Sequence, residues 1–265
     1  MPVNRDAKLM TMMTVRATND DDDARLGEIA AEGGSADADG AYFAFVRRAG
    51  RLLAAVDAAG VVQAYGGTVP VGHQAGGTVT MVTDLFVAAA ARGAGTGRLL
   101  LDQLLPDRHR VMTSSSAHPA ALPVYRRAGL VPRGTVRYLR GVAEGGGPPP
   151  VAIVPARWAH GRADLVAHFA GCGSIVTSHA VLRMPAQPGD PVVIQRVVDG
   201  GARVLAAVLR ALPAGVEVEC CVPSTHPAAA WCLGHGFVQS DEDVWCTTDG
   251  VLPDAGLAVV HPGLW

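Results

Sequence analysis

The sequence is poor in several features that would each indicate a class of protein. Aromatic residues make up only 5% of the 265 residues, and no run of lysines and arginines stands out. Nucleic-acid binding depends on such basic runs, so the sequence predicts no nucleic-acid partner. A net charge of −2 and a hydrophobic share of 49% indicate a globular protein whose core consists mostly of valine, leucine and alanine.

Long apolar stretches are also missing from the sequence. The longest, such as residues 85–91, are far shorter than the roughly 20 residues that a membrane-spanning helix needs. Residues 1–18 lack the apolar segment of a secretory signal. We therefore expect a cytoplasmic protein that makes no contact with a membrane.

Cysteine usage argues against a metal site. The five cysteines all lie in the second half of the chain, and no two of them have C-x-x-C spacing. This pattern favours neither a zinc site nor a disulfide framework. We expect buried free thiols and no metal.

The chain is long enough for two domains, and the segment 145–150 marks a place to divide it. Its sequence, GGGPPP, can continue neither a helix nor a central strand. We predict a first domain over residues 1–144 and a second over residues 151–265, joined by a linker at 145–150.

Hydrophobic periodicity predicts alternating strands and helices in the first domain. Strands are expected at residues 14–18, 51–57, 61–69, 78–87, 111–114 and 136–140. Helices are expected after residue 20 and at residues 41–48, 98–105 and 119–128. Such an alternation is typical of the α/β class.

The second half repeats part of this order. The segment 118–131, HPAALPVYRRAGLV, has a counterpart at 226–238, HPAAAWCLGHGFV. Each follows a predicted strand and leads into another, and a helix predicted at 203–212 corresponds to the one at 98–105. The two halves are therefore interpreted as related units.

A glycine-rich loop at residues 92–97 separates the strand 78–87 from the next helix. Its glycines let backbone amides point the same way, and the helix N-terminus adds unpaired N–H groups. The pattern predicts an anion site, with a plain turn as the alternative. It is not a dinucleotide fingerprint, because Arg98 stands where the third glycine would be, and no G-K-[ST] follows.

Two motifs together resemble those of the GNAT family of N-acetyltransferases. The first is V-x-x-x-x-R-G-x-G-x-G at residues 87–97, and the second is H-x-x-A-x-x-V-Y-R-R-A-G-L at residues 118–130. The family usually has asparagine where His118 stands. The element order over residues 14–140 also fits the mixed α/β sheet of that family. The second half resembles a degenerate GNAT repeat, so the resemblance implies two tandem GNAT-like domains.

The resemblance implies an acyltransferase that moves an acetyl or another short acyl group from acetyl-CoA, or a related acyl-CoA, directly to an amine. Backbone groups near Phe86 and Val87 would bind the pantetheine arm and polarise the thioester carbonyl. The pyrophosphate would be held by the main-chain amides of Arg92, Gly93, Ala94, Gly95, Thr96 and Gly97. The alternative is a non-catalytic acyl-CoA-binding or regulatory protein on the same fold.

Two residues are implied as catalytic. Tyr125 matches the family's tyrosine, the general acid that protonates the leaving thiolate. Asp84 stands on the strand before the loop, where GNAT enzymes often hold an acid that works through water, although such an acid can equally face solvent or pair with an arginine. His118 is another candidate base, but a His-Pro pair recurs at His226, which favours a helix cap. The serines at 114–116 are interpreted as a polar strand end.

The second half departs from the pattern where the chemistry would be. Residues 197–202, VVDGGA, lack the R-x-x-G-x-G run, and Cys232 or Leu233 stands where the tyrosine would be. We expect no catalysis there, and its role would be to complete the acceptor pocket or to hold a homodimer. The acceptor, a small-molecule or peptide amine, is left open by the sequence.

Overall fold

The computed structural model of the chain describes residues 13–35, 39–72, 77–116, 119–248, 251 and 257–261. The first half contains β1 (Thr14–Ala17), α1 (Asp23–Glu32), α2 (Gly40–Ala49), β2 (Arg51–Val56), β3 (Val62–Gly72), β4 (Thr78–Val87), α3 (Thr96–Leu104), β5 (Val111–Ser116), α4 (Ala121–Arg127) and β6 (Val131–Val142). The second half contains α5 (Ala163–Gly171), β7 (Ser174–Val176), β8 (Ala180–Arg183), β9 (Val192–Val198), α6 (Gly201–Ala211), β10 (Glu217–Pro223), α7 (Pro227–Gly234), β11 (Val238–Thr247) and β12 (Leu257–Val260).

The elements predicted for the first half are confirmed, with differences at their ends. The strand at 78–87 has the predicted bounds, whereas β6 begins five residues before the predicted 136. Pro132 and Gly134 lie in that early part and lower its intrinsic strand propensity. The strand extends through them because it pairs along its length with a strand from the second half.

The described strands form one mixed sheet in the order β1-β2-β3-β4-β5-β11-β6-β10-β9-β8-β7, with β12 paired to β9. Two pairs run parallel, β4 with β5 and β9 with β10, and the other pairs are antiparallel. The predicted mixed α/β fold class is confirmed.

The two halves exchange strands in the middle of this sheet. β11 of the second half lies between β5 and β6 of the first, and β6 in turn pairs with β10. Each half therefore gives the other the strand that follows its short helix, α4 or α7. The segment 145–150 contains no helix or strand, as expected of a linker, but the division into domains at that segment stays a prediction.

The sheet carries a different apolar cluster on each of its faces in the first half. One cluster contains Met81 of β4 with residues of α1 and α2, and it continues into Trp158 and Leu165 of the second half. The other contains Val82 with the leucines of α3 and with Tyr125 of α4. Successive residues of a strand point to opposite faces, which is why neighbouring residues of β4 belong to different clusters.

Two expectations from the composition can be compared with the structure. The cysteines are free thiols, and four of them are buried. The expectation of burial is wrong for Cys172, which is exposed because it caps the C-terminus of α5 at the surface. Among the helices of the described ranges, none is long and apolar enough to cross a membrane.

The strand exchange predicts that the first half does not fold alone. A fragment of residues 1–150 would leave β5 and β6 without β11, their common partner. We expect this fragment to show no cooperative urea unfolding transition by circular dichroism. A full-length chain cut at a protease site placed in 145–150 should keep its halves together in gel filtration and melt as the intact chain does. A monodisperse, cooperatively unfolding fragment would contradict the dependence on β11.

Candidate active site

The parallel strands β4 and β5 separate towards their C-terminal ends. They pair over three positions, which are Thr80–Val111, Met81–Met112 and Val82–Thr113. Beyond these positions β3 still pairs with one edge of β4 as far as Val87, while the opposite edge of β4 has no described strand beside it. The result is a V-shaped opening whose two sides are the last residues of β4 and β5.

A β-bulge in β4 lies where this separation begins. Gly67 of β3 pairs with Asp84 and Thr68 pairs with Val82, so Thr83 is an extra residue. A bulge bends its strand and re-aims the side chains that follow. Gly67 is the signal in the sequence by which this bulge could have been predicted. A Cβ at that glycine would lie 2.6 Å from the Thr83 hydroxyl and 3.1 Å from Oδ2 of Asp84.

The predicted anion loop at 92–97 leads from β4 into α3. Gly93 and Gly95 both have φ of 82°, a left-handed conformation that an L-residue adopts only at a cost of about 1–2 kcal/mol. Gly95 is the N-cap of α3. Within the described chain, none of the amides of residues 93–97 donates a hydrogen bond to a protein acceptor. The loop thus presents free N–H donors at the N-terminus of a helix.

Side chains fix the path by which the chain enters this loop. The Arg92 guanidinium donates to the carbonyl oxygens of Val87 at 3.0 Å and Glu32 at 3.3 Å. The Glu32 carboxylate accepts a 2.8 Å hydrogen bond from the Ala89 amide. The Arg92 main-chain amide, predicted as a pyrophosphate ligand, donates to the Ala89 carbonyl at 3.4 Å and is the one predicted loop amide that is not free. The sequence missed Glu32, for which no local pattern exists because it lies on α1.

Phe86 and Val87, the residues predicted to bind the pantetheine arm, are the last two residues of β4. Phe86 stacks on Tyr65 with ring centroids 5.5 Å apart, and its ring occupies the space where Gly33 has no side chain. Val87 packs near Gly97, where an added Cβ would lie 3.4 Å from the valine methyl. Their side chains hold β4 in place, which leaves their backbone groups beside the opening.

Asp84 is buried next to the opening and faces α2. Its Oδ2 accepts hydrogen bonds from the hydroxyls of Tyr42 at 2.7 Å and Thr83 at 2.8 Å. Its Oδ1 receives none from the described residues. Burial raises the pKa of Asp84 above its ordinary value, and the two hydroxyl donors offset only part of that rise. The acid therefore neither faces solvent nor pairs with an arginine, which were the two structural alternatives.

Tyr125 lies on the other face of the sheet. It is 6% exposed and packs among the apolar side chains that α3 and α4 bury against Val82. Burial raises the pKa of Tyr125, the nearby Asp84 charge raises it further, and hydrogen bonding to Thr113 opposes both. The phenol is therefore protonated at neutral pH. Asp84 and Tyr125 thus flank the opening from opposite faces.

The second half places another acid beside the opening. Asp243 of β11 pairs in register with Ser116, the last residue of β5. Its Oδ2 accepts hydrogen bonds from Tyr138 at 2.8 Å and from Ser114 at 3.0 Å. Ser114 thus holds an acid in addition to ending a strand. Asp243 was not predicted as a site residue, because nothing local to β11 indicates that this strand inserts beside β5.

The corresponding opening of the second half is filled. β9 and β10 also pair over only three positions, and β12 then pairs with β9 where the strands separate. The loop before α6 has left-handed Gly200 and Gly201, and the His226 ring lies 3.1 Å from where a Cβ of Gly201 would be. Cys232 is fully buried. No open V like that of the first half occurs among the described strands of the second.

One of the two histidines of the repeated His-Pro pairs caps a helix. Nδ1 of His226 accepts a 3.1 Å hydrogen bond from the Ala228 amide at the start of α7, which confirms that histidine as a cap. His118, the other candidate, lies outside the described residues. In the part of the chain that the structure covers, no three His, Cys, Asp or Glu side chains gather as metal ligands would.

The buried Asp84 predicts a pH-dependent stability difference. Because the pKa of Asp84 is raised in the folded state, this group stabilises the fold fully below its unfolded-state pKa of about 4. That stabilisation is lost as the pH rises towards the folded-state pKa. Asp84→Asn keeps an oxygen that can accept both hydroxyls and carries no charge. We expect its free energy of unfolding in urea, relative to the unchanged protein, to increase between about pH 4 and pH 7.

Asp22→Asn is the control of opposite sign. Asp22 pairs with Arg16 at 2.7 Å, and this partner lowers the pKa of the carboxyl. The control variant should therefore be less stable than the unchanged protein at neutral pH, by an amount that shrinks in acid. If the stability of Asp84→Asn relative to the unchanged protein instead falls between pH 4 and pH 7, the ionised carboxylate stabilises the fold.

Comparison with known proteins gives a family-model match in the first half of the chain. Residues 49–143 match the family model described as an acetyltransferase (GNAT) domain. That match lies in the first half, so the interpretation of the second half as a GNAT-like repeat stays a prediction. No curated protein matches the chain.

Solved structures share the fold over most of the chain. A proposed acetyltransferase from Pyrococcus horikoshii is similar with a TM-score of 0.69 and 14% identity, covering 96% of both chains. A GCN5-related N-acetyltransferase from Kribbella flavida is similar with a TM-score of 0.55 and 17% identity, covering 88% of this chain and 71% of that one. Another from Anabaena variabilis has a TM-score of 0.54 and 12% identity, covering 88% of this chain and 72% of that one. Residues 49–143 thus match a GNAT acetyltransferase domain. The chain has a mixed α/β fold like that of the solved acetyltransferase structures.

Proposed function

We propose that the protein transfers an acetyl or another short acyl group from acyl-CoA directly to an amine. One observation carries the proposal: the V between β4 and β5 is open and leads to a loop of unpaired amides, whereas the V of the second half is filled by β12. The donor is most simply acetyl-CoA, and no metal has a part in the mechanism that we propose.

The donor would lie along the free edge of β4. The amides of residues 93–97 would bind the pyrophosphate, because free N–H groups at a helix N-terminus favour an anion. The Arg92 amide would join them only by giving up its 3.4 Å hydrogen bond to the Ala89 carbonyl. The pantetheine arm would add to the unpaired edge of β4 by main-chain hydrogen bonds near Phe86 and Val87. An N–H there would also bind the thioester carbonyl, and one such oxyanion donor typically supplies about 2.7–4 kcal/mol.

Asp84 would act as the general base. An amine attacks only in its neutral form, so a proton must leave it before or during attack. The Oδ1 of Asp84 is free to accept that proton, directly or through water, and the raised pKa makes the carboxylate a better base than an exposed aspartate. Tyr42 and Thr83 would fix the direction of the carboxylate by holding Oδ2.

Tyr125 would act as the general acid. As the C–N bond forms and the C–S bond breaks, the thiolate of coenzyme A needs a proton, which the phenol would donate. A neutral donor buried among apolar side chains remains protonated until that negative charge develops beside it. The acid and base positions on opposite faces would keep the two proton transfers apart.

The second half would complete the acceptor pocket rather than hold a homodimer. Phe45 of α2 stacks on His168 of α5 with ring centroids 4.7 Å apart, so the second half covers the face on which Asp84 lies. β11 of the second half also lies beside β5, on the side of the opening that faces β4. The acceptor would be a small-molecule or peptide amine, and the cytoplasmic location stays a prediction.

Replacing Tyr125 tests the general acid. We expect Tyr125→Phe to lower turnover by roughly 10²–10⁴-fold, because the thiolate then leaves without a positioned proton donor. Release of free thiol from acetyl-CoA with a panel of amines measures this. The acetyl-CoA affinity of the variant should stay nearly unchanged, and unchanged turnover would reject Tyr125 as the acid.

Ligand-induced stabilisation tests the donor site itself. Acetyl-CoA at 100 times its Kd should stabilise the chain by about 2.7 kcal/mol in thermal or urea unfolding. Acetyl-N-acetylcysteamine, a thioester without the pyrophosphate, should stabilise much less at the same concentration. Equal effects would argue against the loop as an anion site. Stabilisation by acetyl-CoA without turnover of any amine would support the non-catalytic acyl-CoA-binding alternative.

A further inference from the structure

We propose that Asp243, supplied by the second half, binds a positive charge on the acceptor that is separate from the reacting amine. The acceptor would then be an amine with two cationic groups, such as an aliphatic diamine. This inference rests on the proposed acyl transfer, and it gives the catalytically silent half a part in choosing the substrate.

The position of Asp243 places it across the opening from Asp84. β4, which carries Asp84, forms one side of the V, and β5 forms the other. β11 lies directly beside β5, and Asp243 is level with Ser116 at the end where the V is widest. An acceptor that reaches the thioester between the strands therefore meets one acid on each side.

The two acids also share a face of the sheet. Trp245, two residues after Asp243 on the same strand, packs in the apolar cluster that contains Met81 and the residues of α1 and α2. Tyr138, which donates to Asp243, packs against the same cluster. Because alternate residues of a strand face the same way, Asp243 lies on the face where Asp84 contacts Tyr42.

The hydrogen bonds of the two acids follow one pattern. In each, Oδ2 accepts from a tyrosine and from a second hydroxyl, and Oδ1 receives no hydrogen bond from the described residues. Over the same residues, neither acid forms an ion pair with an arginine or lysine. Hydroxyl donors orient a carboxylate without pairing its charge, so each acid has one oxygen ready for a cationic donor.

A third group on this face also has an unmet hydrogen bond. The hydroxyl of Tyr65 is fully buried and has no partner among the described residues. Its ring lies between Phe43 and Phe86, and burial, with the nearby Asp84 charge, raises the pKa of its hydroxyl. A buried hydroxyl without a partner costs free energy, which indicates that a polar molecule or water belongs beside it.

The chemistry assigns different tasks to the two acids. The reacting amine must lose its proton, and the Asp84 carboxylate is placed to take it. A second carboxylate, set away from the thioester and held among the described residues by two hydroxyls and by no arginine or lysine, is suited to bind a group that remains charged. Burial raises the pKa of Asp243, and the nearby Asp241 adds to that rise. The hydrogen bonds from Tyr138 and Ser114, and then the nearby His261, oppose it, and a bound ammonium group would favour the ionised carboxylate further.

The test compares matched amines in the full-length protein. Putrescine with n-butylamine, and cadaverine with n-pentylamine, differ only in the second ammonium group. We expect the protein to prefer the diamines in kcat/KM. In Asp243→Asn the ratio of kcat/KM for diamine over monoamine should fall by about 10- to 100-fold, mainly through KM, which is the usual effect of losing a hydrogen bond to a charged group.

Glu242→Gln is the matched control. Glu242 precedes Asp243 on β11 but pairs with Arg137 on the other face, at 3.7 Å. Its loss should leave the diamine preference unchanged. If Asp243→Asn does not fold, Tyr138→Phe keeps the carboxylate but removes one of the groups that orient it, and the preference should fall in the same direction.

Three outcomes separate the inference from the proposed function. Equal use of diamines and monoamines, or an Asp243→Asn protein that keeps the diamine preference, would overturn the inference while acyl transfer stands. Calorimetric binding of putrescine in the presence of coenzyme A provides a second readout. Binding that depends on Asp243 in a protein without turnover would support the inference and overturn the proposed enzyme. Absence of putrescine binding together with absence of turnover would overturn both.

Discussion

The pairing of β11 with both β5 and β6 is the interaction on which the rest of the structure depends. β5 pairs with β4 over only three positions and with β11, a strand of the other half, over five. β11 also buries Trp245 in the cluster that both halves share. Each backbone hydrogen bond contributes only about 1 kcal/mol net, but an unpaired strand edge inside the sheet would leave many groups unsatisfied. The open V can therefore exist because its far side is held by β11.

The two halves use one geometry in opposite ways. In both, a parallel pair of strands separates after three positions, and a helix begins nearby with left-handed glycines at its N-terminus. In the first half the gap remains open, and no described strand pairs with this edge of β4. In the second half β12 uses the edge of β9, so the backbone groups that could bind a pantetheine arm are already paired. Strand pairing alone thus limits the described chain to one opening of this kind.

Burial sets the properties of the groups around that opening. It raises the pKa of Asp84 and of Tyr125, which makes the first a stronger base and keeps the second a neutral donor. The bulge at Thr83 produces the arrangement, since it turns Asp84 towards Tyr42 at the point where β4 leaves β5. The one-residue bulge therefore lies where β4 separates from β5 and also directs the Asp84 carboxylate towards Tyr42.

The sequence by itself determined the features that depend on local backbone preference. Periodicity predicted the helices and strands of the first half, glycine spacing predicted the left-handed turns of the loop, and two motifs indicated the family of the first half. Only the tertiary structure decided the insertion of β11, the filling of the second V by β12, and the placement of Asp243 beside β5. The physical reason is that every strand presents the same N–H and C=O groups along its edges, so a local pattern predicts a strand but not its partner.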